Sequence, residues 1–463
     1  MAVGTDVPPR LVARSDPGPA RRVLRSATAT SAAAGDVLGW LARRARRHDF
    51  RVHRISFPEL DHWHFEEGTG NLQHRTGGFF TVTGLDVTTD GPADQGPRHW
   101  QQPVIAQPEV GVLGLLAKEF DGVLHFLLQA KMEPGNPNQI QLSPTVQATR
   151  SNYTRLHAGG EVRYLEHFLT PGRGRVLGDV LQSEQGSWFF RKLNRNIIVE
   201  TREEVPTHED FHWLTLADIG RLLRQDLLVN MDVRSVLASA PLPSDEAAAL
   251  HPDTEVLSWF AAERSARRID ARRIPLAEVR GWGRDDWMIR HEHDRFFRVV
   301  AVSVEAGSRE VARWTQPLVE PVRGGIAAFV VRRFAGVPHL LVNARVEGGF
   351  INTVELGPTV QCAPGSDAEC GSTCSPFRNL VLNAGADRIR YSALQSEEGG
   401  RFLNAENRYL VVEADEREAP TRPPAHHFWV TPSQLRSLVR HSNYVTVQAR
   451  TLLAAINSRA VVL

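Results

Sequence analysis

Two short stretches of this chain decide how it folds. Residues 142–147 read LSPTVQ, and residues 356–361 read LGPTVQ, 214 positions further on. A second landmark repeats at the same offset, because WQQP at residues 100–103 returns as WTQP at residues 314–317. Self-similarity at a constant long spacing is the signature of a duplicated domain. We therefore predict two tandem copies of one ancestral unit.

Each copy combines strand and helix signals. LQSEQG at residues 181–186 is repeated as LQSEEG at residues 394–399, and the segments between the landmarks alternate apolar and polar residues as strands do. Near the end of each copy, Thr215 and Thr431 precede stretches of helical period, as N-cap residues do. The fold class predicted is α+β, with two homologous domains, each a curved mixed sheet packed with helices.

The composition shifts between these landmarks predict the domain boundaries. The Arg-, Pro- and Ala-rich start lacks an apolar core and predicts a disordered tail, and two Arg-rich apolar stretches predict linking helices. The predicted divisions are a tail over residues 1–28, an N-terminal linking helix over 29–60, a first repeat over 61–241, a second linking helix over 242–275 and a second repeat over 276–463.

Charge and hydropathy exclude two classes of partner. The 463 residues include 54 Lys and Arg against 53 Asp and Glu, so no strong field exists to attract a polyanion or an anionic membrane. No apolar run approaches the ~20 residues that a membrane helix needs. We expect a cytoplasmic protein that binds neither nucleic acid nor membrane.

The three cysteines, Cys362, Cys370 and Cys374, lie in one stretch rich in Gly, Ser and Asp. Three thiolates with a fourth ligand could hold zinc, but the spacing lacks the usual C-x2-C pair. We favour a flexible loop with free thiols and predict no metal site.

Three motifs in combination carry a family resemblance. They are WQQP at residues 100–103, LSPTVQATRSNYTR at 142–155, and QSEQG at 182–186 followed by NRN at 194–196. Together they resemble the NDP-hexose 2,3-dehydratases of deoxysugar biosynthesis. The resemblance implies tandem Nudix-like domains, a homodimer, no cofactor, and a dTDP-linked 4-keto-6-deoxyhexose substrate whose product passes to a 3-ketoreductase. The Glu-rich helix with which Nudix hydrolases bind metal is missing from the sequence.

The implied reaction needs three chemical functions. The C4 ketone acidifies the C3 hydrogen, which a general base removes, and a general acid protonates the hydroxyl that leaves C2. Hydrogen-bond donors aimed at O4 stabilise the enolate, and each donor is commonly worth ~3 kcal/mol. Arg side chains suit the diphosphate because their planar fork matches its oxygens.

The first copy has the denser polar run, over residues 145–157. Tyr153 and His157 are the predicted acid and base, because their counterparts in the second copy fall in the cysteine stretch. Glu184 is a third catalytic candidate, although its recurrence as Glu397 favours a structural role. A solvated loop with a buried tyrosine is the alternative interpretation of this run.

The predicted substrate-binding residues come from both copies. Two of the pairs allow alternatives: Asn194 and Arg195 could cap a turn, and Lys131 with Glu133 could form a cross-strand ion pair or a proton-transfer pair. The predicted set is Lys131, Thr145, Gln147, Arg150, Asn152, Arg155, Gln182, Ser183, Asn194, Arg195, Arg345, Thr359, Gln361, Gln395, Ser396, Asn407 and Arg408.

The resemblance thus implies a dTDP-4-keto-6-deoxy-D-glucose 2,3-dehydratase activity. A Nudix-type nucleotide-sugar hydrolase and a non-catalytic sugar-nucleotide binder are the alternatives. The unequal chemistry of the two copies further predicts one working pocket per chain.

Overall fold

The structure is a computed structural model that describes residues 16–29, 36–90, 97–149, 162–244, 248–307, 312–362 and 375–463. Its helices are α1 (Gly18–Thr28), α2 (Val37–Arg47), α3 (Glu166–Leu169), α4 (Leu216–Leu223), α5 (Met231–Ala238), α6 (Asp253–Ala266), α7 (Arg378–Leu382), α8 (Pro432–Leu438) and α9 (Val447–Asn457).

The strands of the first half are β1 (Phe50–Ile55), β2 (Trp63–Phe65), β3 (Leu72–His74), β4 (Thr81–Thr89), β5 (Arg98–Ala106), β6 (Gly111–Phe120), β7 (Val123–Met132), β8 (Ile140–Ser143), β9 (Val146–Ala148), β10 (Arg175–Ser183), β11 (Leu193–Glu200) and β12 (Phe211–Thr215). Those of the second half are β13 (Ile269–Ile274), β14 (Trp282–Arg284), β15 (Met288–His291), β16 (Phe297–Ala306), β17 (Arg313–Pro321), β18 (Gly325–Phe334), β19 (Val337–Arg345), β20 (Glu355–Gly357), β21 (Val360–Cys362), β22 (Ile389–Ser396), β23 (Glu406–Glu413) and β24 (His427–Val430).

Each repeat contains two sheets. The larger has seven strands in the order β10-β11-β6-β7-β12, with β8 on β7 and β9 on β6, and the second repeat has its equivalent. It is mixed, because β11 runs parallel to β6 while the other pairs are antiparallel. The α+β class with mixed sheets is therefore confirmed. A five-stranded antiparallel sheet in each repeat was not predicted.

The two repeats exchange a strand. β1 pairs with β16 of the second repeat, and β13 pairs with β4 of the first. The predictions of a linking helix over residues 29–60 and another over residues 242–275 are therefore wrong in part, since each segment contains a helix, α2 or α6, followed by a strand. Arginine-rich strands such as FRVHRI look like helix surface in sequence, and only their pairing partners reveal them as strands.

The N-terminal prediction also needs correction, because residues 18–28 form α1 and are not a disordered tail. Val23 and Ala27 are buried four positions apart, on one helix face. Ser26 donates to the carbonyl of Leu124 and accepts from the Leu216 amide at 2.8 Å, while Arg22 pairs with Glu200 at 2.5 Å.

The two predicted threonine caps are confirmed. Thr215 accepts a hydrogen bond from the Asp218 amide at 3.1 Å, and Thr431 accepts one from the Gln434 amide at 3.2 Å. Each forms a capping box that satisfies amides at the start of its helix. In the part of the chain that the structure describes, no helix is long and apolar enough to cross a membrane.

The loops after β7 and β19 cross into the opposite repeat. The Gly135 amide donates to the Gly399 carbonyl at 2.7 Å, and the Gly349 amide donates to the Gly186 carbonyl at 2.8 Å. A Cβ on Gly135 would lie 1.6 Å from the Phe402 carbonyl oxygen. Only glycine allows the two backbones to approach this closely.

We expect Gly135→Ala to destabilise the protein by about 3 kcal/mol or more, because the new methyl group overlaps a backbone atom that cannot move alone. Urea unfolding monitored by circular dichroism measures the effect. Gly283→Ala is the control, because nothing lies within 4 Å of a Cβ at that position. Equal stability of the two variants would show that the loops do not need to cross closely.

Candidate active site

A cleft of about 1880 Å³ opens at the large sheet of the first repeat. The first repeat lines it with residues of β7, β9 and the start of β11. The second repeat lines it with residues 313–316 and with Glu398, Gly400 and Arg401. The cleft is therefore shared by the two repeats, although it lies in the first.

Lys131, Glu133 and Gln147 form a connected group in this cleft. The Lys131 ammonium lies 3.2 Å from Glu133 Oε1 and donates to Gln147 Oε1 at 2.6 Å, while Gln147 Nε2 donates to Glu133 Oε1 at 3.1 Å. The ion-pair alternative is confirmed, although the pair joins Lys131 of β7 to Glu133 just after the end of that strand and is not cross-strand, and the structure brings Lys131 and Gln147 together. A role for this pair in proton transfer stays a prediction.

Asn194 and Glu184 form the next part of the wall. Asn194 Nδ2 donates to Glu184 Oε1 at 2.7 Å, and the Gly111 amide donates to Asn194 Oδ1 at 3.1 Å. Asn194 lines the cleft, whereas Glu184 lies buried behind it. Burial raises the pKa of Glu184 to about 7, with a further contribution from the negative charge of Glu398.

Lys192, Glu398 and Arg401 complete the charged part of the cleft. Burial lowers the pKa of Lys192 to about 8, although the Glu398 carboxylate opposes this shift. Removal from water in the cleft wall raises the pKa of the half-buried Glu398, and the Arg401 guanidinium opposes the shift. A Cβ on Gly400 would lie 3.6 Å from Glu398 Oε1 and 3.8 Å from Glu133 Oε1. The carboxylates of Glu133, from the first repeat, and Glu398, from the second, thus both lie close to Gly400.

Arg401 is held from three sides. Its Nε donates to Gln107 Oε1 at 3.1 Å, its Nη1 donates to the Gly400 carbonyl at 2.7 Å, and its guanidinium carbon lies 4.7 Å from the centre of the Phe80 ring. The side chain therefore carries a fixed positive charge at the cleft wall.

Aromatic side chains form another wall of the cleft. The ring of His74 lies 5.3 Å from that of Trp63 and 4.5 Å from that of Phe79. Trp314 of the second repeat also lines the cleft, and its Nε1 donates to Gln316 Oε1 at 2.8 Å. Trp63 is buried against the core, and its Nε1 donates to the Thr315 carbonyl at 3.0 Å.

Four predicted substrate ligands lie instead at the interface between the repeats. Gln182 Nε2 donates to the Val439 carbonyl at 2.6 Å, and Ser183 donates to Glu355 Oε2 at 2.6 Å. The structure therefore does not bring Gln182, Ser183, Gln395 or Ser396 to the cleft, and this geometry does not support their predicted contact with substrate. All four are buried and bonded across the interface, because the repeated QS motif joins the two copies.

The second copy of that motif is used in the same way. Gln395 Nε2 donates to the Leu223 carbonyl at 3.0 Å, and Ser396 donates to Gln141 Oε1 at 2.7 Å. In this protein, the QS motif that both repeats share therefore forms part of the interface between them.

Thr145 and its repeat Thr359 bond to the backbone of neighbouring strands, and Arg195 and its repeat Arg408 bond to side chains at the surface. The buried Thr145 hydroxyl accepts from the Leu116 amide at 2.9 Å and donates to the Leu127 carbonyl, although the residue borders the cleft. The Thr359 hydroxyl accepts from the Val330 amide at 2.8 Å. Arg195 pairs with Asp179 at 2.6 Å and Arg408 donates to Ser392 at 3.3 Å, so both face outward, away from the cleft.

The second repeat keeps part of the same arrangement. Arg345 Nε donates to Glu347 Oε1 at 2.6 Å, Gln361 Nε2 donates to the same oxygen at 3.3 Å, and Asn407 Nδ2 donates to Glu397 Oε1 at 2.5 Å. None of these residues lines the cleft described above. Arg345, Gln361 and Asn407 are thus not brought together with the first-repeat candidates.

The remaining predicted residues, Arg150, Asn152, Tyr153, Arg155 and His157, lie outside the described residues. Thr149 and Val162, the nearest described residues on either side, both line the cleft. The catalytic and binding roles of the five stay predictions.

The family model that describes NDP-hexose 2,3-dehydratase matches residues 34–240 and again residues 253–456. The chain belongs to the NDP-hexose 2,3-dehydratase family. The double match also confirms the duplication predicted from the repeated motifs.

Curated relatives of this dehydratase share most of its length. A dTDP-4-dehydro-6-deoxy-alpha-D-glucopyranose 2,3-dehydratase of Amycolatopsis orientalis is 57% identical over 428 residues, which are 92% of this chain and 90% of the relative. Proteins of the same name from Streptomyces violaceoruber and Saccharopolyspora spinosa are each 48% identical, over 90% of this chain and over 96% and 90% of the respective relative.

Three residues that line the cleft of this dehydratase are not among those predicted from the sequence, namely Lys192, Glu398 and Arg401. The signal that could have found them is a break in the repeat. Under the alignment of residues 181–186 with 394–399, Lys192 matches an alanine, Glu398 matches a glutamine and Arg401 matches a tryptophan. Differences between the copies mark the cleft of this family member better than their similarities do.

We expect the Glu184→Gln variant to become more stable relative to the wild type as pH rises. The raised pKa means that the folded state binds more protons than the unfolded state between about pH 4.5 and 7, so Glu184 becomes less favourable to folding as pH rises through this window. The difference in unfolding free energy should grow by up to about 3 kcal/mol between about pH 5 and 8.

Urea unfolding over that pH range measures this difference. Glu67→Gln, at an exposed glutamate, is the control for the substitution itself. A constant difference between Glu184→Gln and wild type would show that Glu184 does not titrate near neutral pH.

Proposed function

We propose that this chain is a dTDP-4-keto-6-deoxy-D-glucose 2,3-dehydratase, a hydro-lyase that removes water across C2 and C3. The observation that carries the proposal is a buried amine and a half-buried carboxyl group, Lys192 and Glu398, whose pKa values are shifted towards neutrality in one cleft. Groups that titrate near the working pH are the most effective proton donors and acceptors. The family membership and the names of the relatives support the substrate.

Glu398 is the proposed general base. Its carboxylate takes the proton from C3, and the electron pair of the C3–H bond forms the enolate with C4 and O4. Its raised pKa makes it a stronger base than an exposed glutamate. It reaches the cleft of the first repeat from the second, and its counterpart Gln185 cannot accept a proton in this way.

Lys192 is the proposed general acid. Collapse of the enolate restores the C4 ketone, forms the C2–C3 double bond and breaks the C2–O bond, and the Lys192 ammonium protonates the departing hydroxyl. With a pKa of about 8, the amine is mostly protonated at neutral pH and releases its proton readily. The C3 enol that results becomes a ketone by taking a proton at C2 and releasing its hydroxyl proton to solvent.

Arg401 is the proposed stabiliser of the enolate oxygen. Its hydrogen bonds to Gln107 and Gly400 fix its charge before the reaction begins. A preorganised positive charge stabilises a developing anion without reorganisation at the moment of reaction. Lys131 and Gln147 are proposed to orient the sugar hydroxyl groups, because they lie together in the same cleft.

The aromatic wall is proposed to hold the thymine, and the arginines of the cleft to hold the diphosphate. Arg163 and Arg313 line the cleft, one from each repeat. Arg150 and Arg155 are proposed to join them, with Asn152. Tyr153 and His157 remain proposed alternatives for the acid and the base.

The second repeat is proposed to be a structural copy without activity. Trp188 and Ala405 stand where the first cleft has Arg401 and Lys192, and both belong to the apolar cluster around Phe189 and Phe402. Calorimetric titration with dTDP is expected to give one site per chain. Two equivalent sites per chain would contradict this assignment.

We propose three further properties that follow from the family resemblance. The large mixed sheet with its helices is proposed to be Nudix-like, and the protein to be a cytoplasmic homodimer. The product carries neighbouring ketones at C3 and C4, so a 3-ketoreductase is the proposed next enzyme.

The function is tested by incubating the protein with dTDP-4-keto-6-deoxyglucose in deuterated buffer with EDTA, a 3-ketoreductase and NADPH. Mass spectrometry is expected to find a 2-deoxy sugar with deuterium at C2. An intact sugar would indicate a binder, and release of dTMP only after addition of Mg²⁺ would indicate a hydrolase.

We expect Glu398→Gln and Lys192→Met each to lower the rate of elimination by about 10²-fold or more, because each removes one proton transfer. The two should differ in solvent exchange. Lys192→Met retains the base and still exchanges the C3 hydrogen for deuterium, whereas Glu398→Gln loses this exchange. Mass spectrometry of recovered substrate measures the exchange.

Glu416→Gln, at an exposed position outside the cleft, is the control. If Glu398→Gln exchanged the C3 hydrogen at the rate of the wild type, another group would be the base, and Tyr153 and His157 would be tested next.

A further inference from the structure

One backbone position at the cleft differs between the repeats in a way that the fold does not require. His62 has a φ of 63°, in the left-handed region, and it lines the cleft. The equivalent residue of the second repeat is Gly281, with a φ of 76°. Glycine adopts this conformation without strain, whereas a side chain with a Cβ does so at a cost.

The backbone around the two residues is held by equivalent hydrogen bonds. The Arg75 amide donates to the His62 carbonyl at 2.7 Å, and the Glu292 amide donates to the Gly281 carbonyl at 2.9 Å. Trp63 Nε1 donates to the Thr315 carbonyl at 3.0 Å, and Trp282 Nε1 donates to the Gln101 carbonyl at 3.0 Å. The turn is therefore the same in both repeats, and only the side chain differs.

The imidazole lies at the rim of the cleft. The side chain of His62 is 63% exposed, and its Nε2 lies 3.4 Å from Asp61 Oδ2. Its ring centre lies 5.8 Å from that of His74, so His62 extends the aromatic wall outward. The proposed acid Lys192, by contrast, is only 4% exposed. A substrate whose sugar reaches Lys192 places its nucleotide towards the rim.

We propose that His62 binds the nucleoside diphosphate end of the substrate, and that its strained backbone is retained for this purpose. The proposal rests on the proposed function, because it takes the reacting sugar to lie at the buried end of the cleft. Strain that persists where an unstrained residue would serve the fold is typical of functional sites. The imidazole offers an aromatic face to the base and ring N–H donors to the phosphates.

The test substitutes His62 in the full-length protein. His62→Gly installs the residue of the second repeat, and His62→Asn removes the ring while keeping a residue that tolerates the left-handed region. We expect the affinity for dTDP alone, measured by calorimetry, to fall about tenfold in both variants. KM should rise by a similar factor while kcat stays within about twofold, because binding is lost equally in the ground and transition states.

A stability measurement separates this role from a purely structural one. His62→Gly is expected to unfold at a higher urea concentration than the wild type, because the strain is relieved. Loss of affinity together with a gain in stability cannot come from damage to the fold. His426→Gly is the matched control, since His426 also has a left-handed φ, 66°, and lies outside the cleft. It should leave dTDP affinity and KM unchanged.

Two results would overturn the inference. One is an unchanged affinity for dTDP in both His62 variants, and the other is a loss of kcat without a loss of dTDP affinity, which would place His62 at the sugar. Because dTDP binding is measured without turnover, a wild type that binds dTDP but eliminates no water would refute the proposed function while the His62 variants still test this inference.

Discussion

Two buried arginines, each donating to the opposite repeat, determine how this molecule is built. Arg450 Nη2 donates to the Ser183 carbonyl at 2.6 Å, and Arg234 donates to the Ser396 carbonyl. Both side chains are fully buried. A buried guanidinium loses several kcal/mol of hydration and needs partners in return. Each repeat supplies carbonyl partners to the other's arginine, so neither copy has a complete core alone.

The exchanged strands and crossing loops extend the same reciprocity to the cleft. Glu398 and Arg401 reach the first repeat because their loop is bonded to Gly135 across the interface. Two identical chains related in this way would carry the same residues in both clefts. Joining them in one chain allows Lys192 and Ala405, or Arg401 and Trp188, to diverge at equivalent positions. The fused duplication thus explains how one copy holds the charged cleft and the other a packed core.

The sequence predicted what depends on local pattern, namely the duplication, the α+β class, the threonine caps and the cleft residues Lys131, Gln147 and Asn194. It could not predict strand exchange, because the pattern of a strand does not specify its partner. Nor could it tell whether Gln182 lies at the interface between the repeats or in a ligand site, since both require a buried polar residue. Glu398 lies more than 200 residues from Lys192 in the chain, and no local signal links them.

The two repeats differ in their charged residues as well as in their packing. In the second repeat, Glu347 keeps Arg345 as its partner at 2.6 Å, and Ala405 stands at the position equivalent to Lys192. The counterpart of Glu398 is Gln185 of the first repeat. In the cleft of the first repeat, burial lowers the pKa of Lys192 and raises that of Glu398, which reaches the cleft from the second repeat, so each charged form is disfavoured there. Such groups reduce stability at neutral pH unless they are neutralised. Their presence in the cleft is therefore not explained by folding stability, which agrees with the catalytic roles proposed for them.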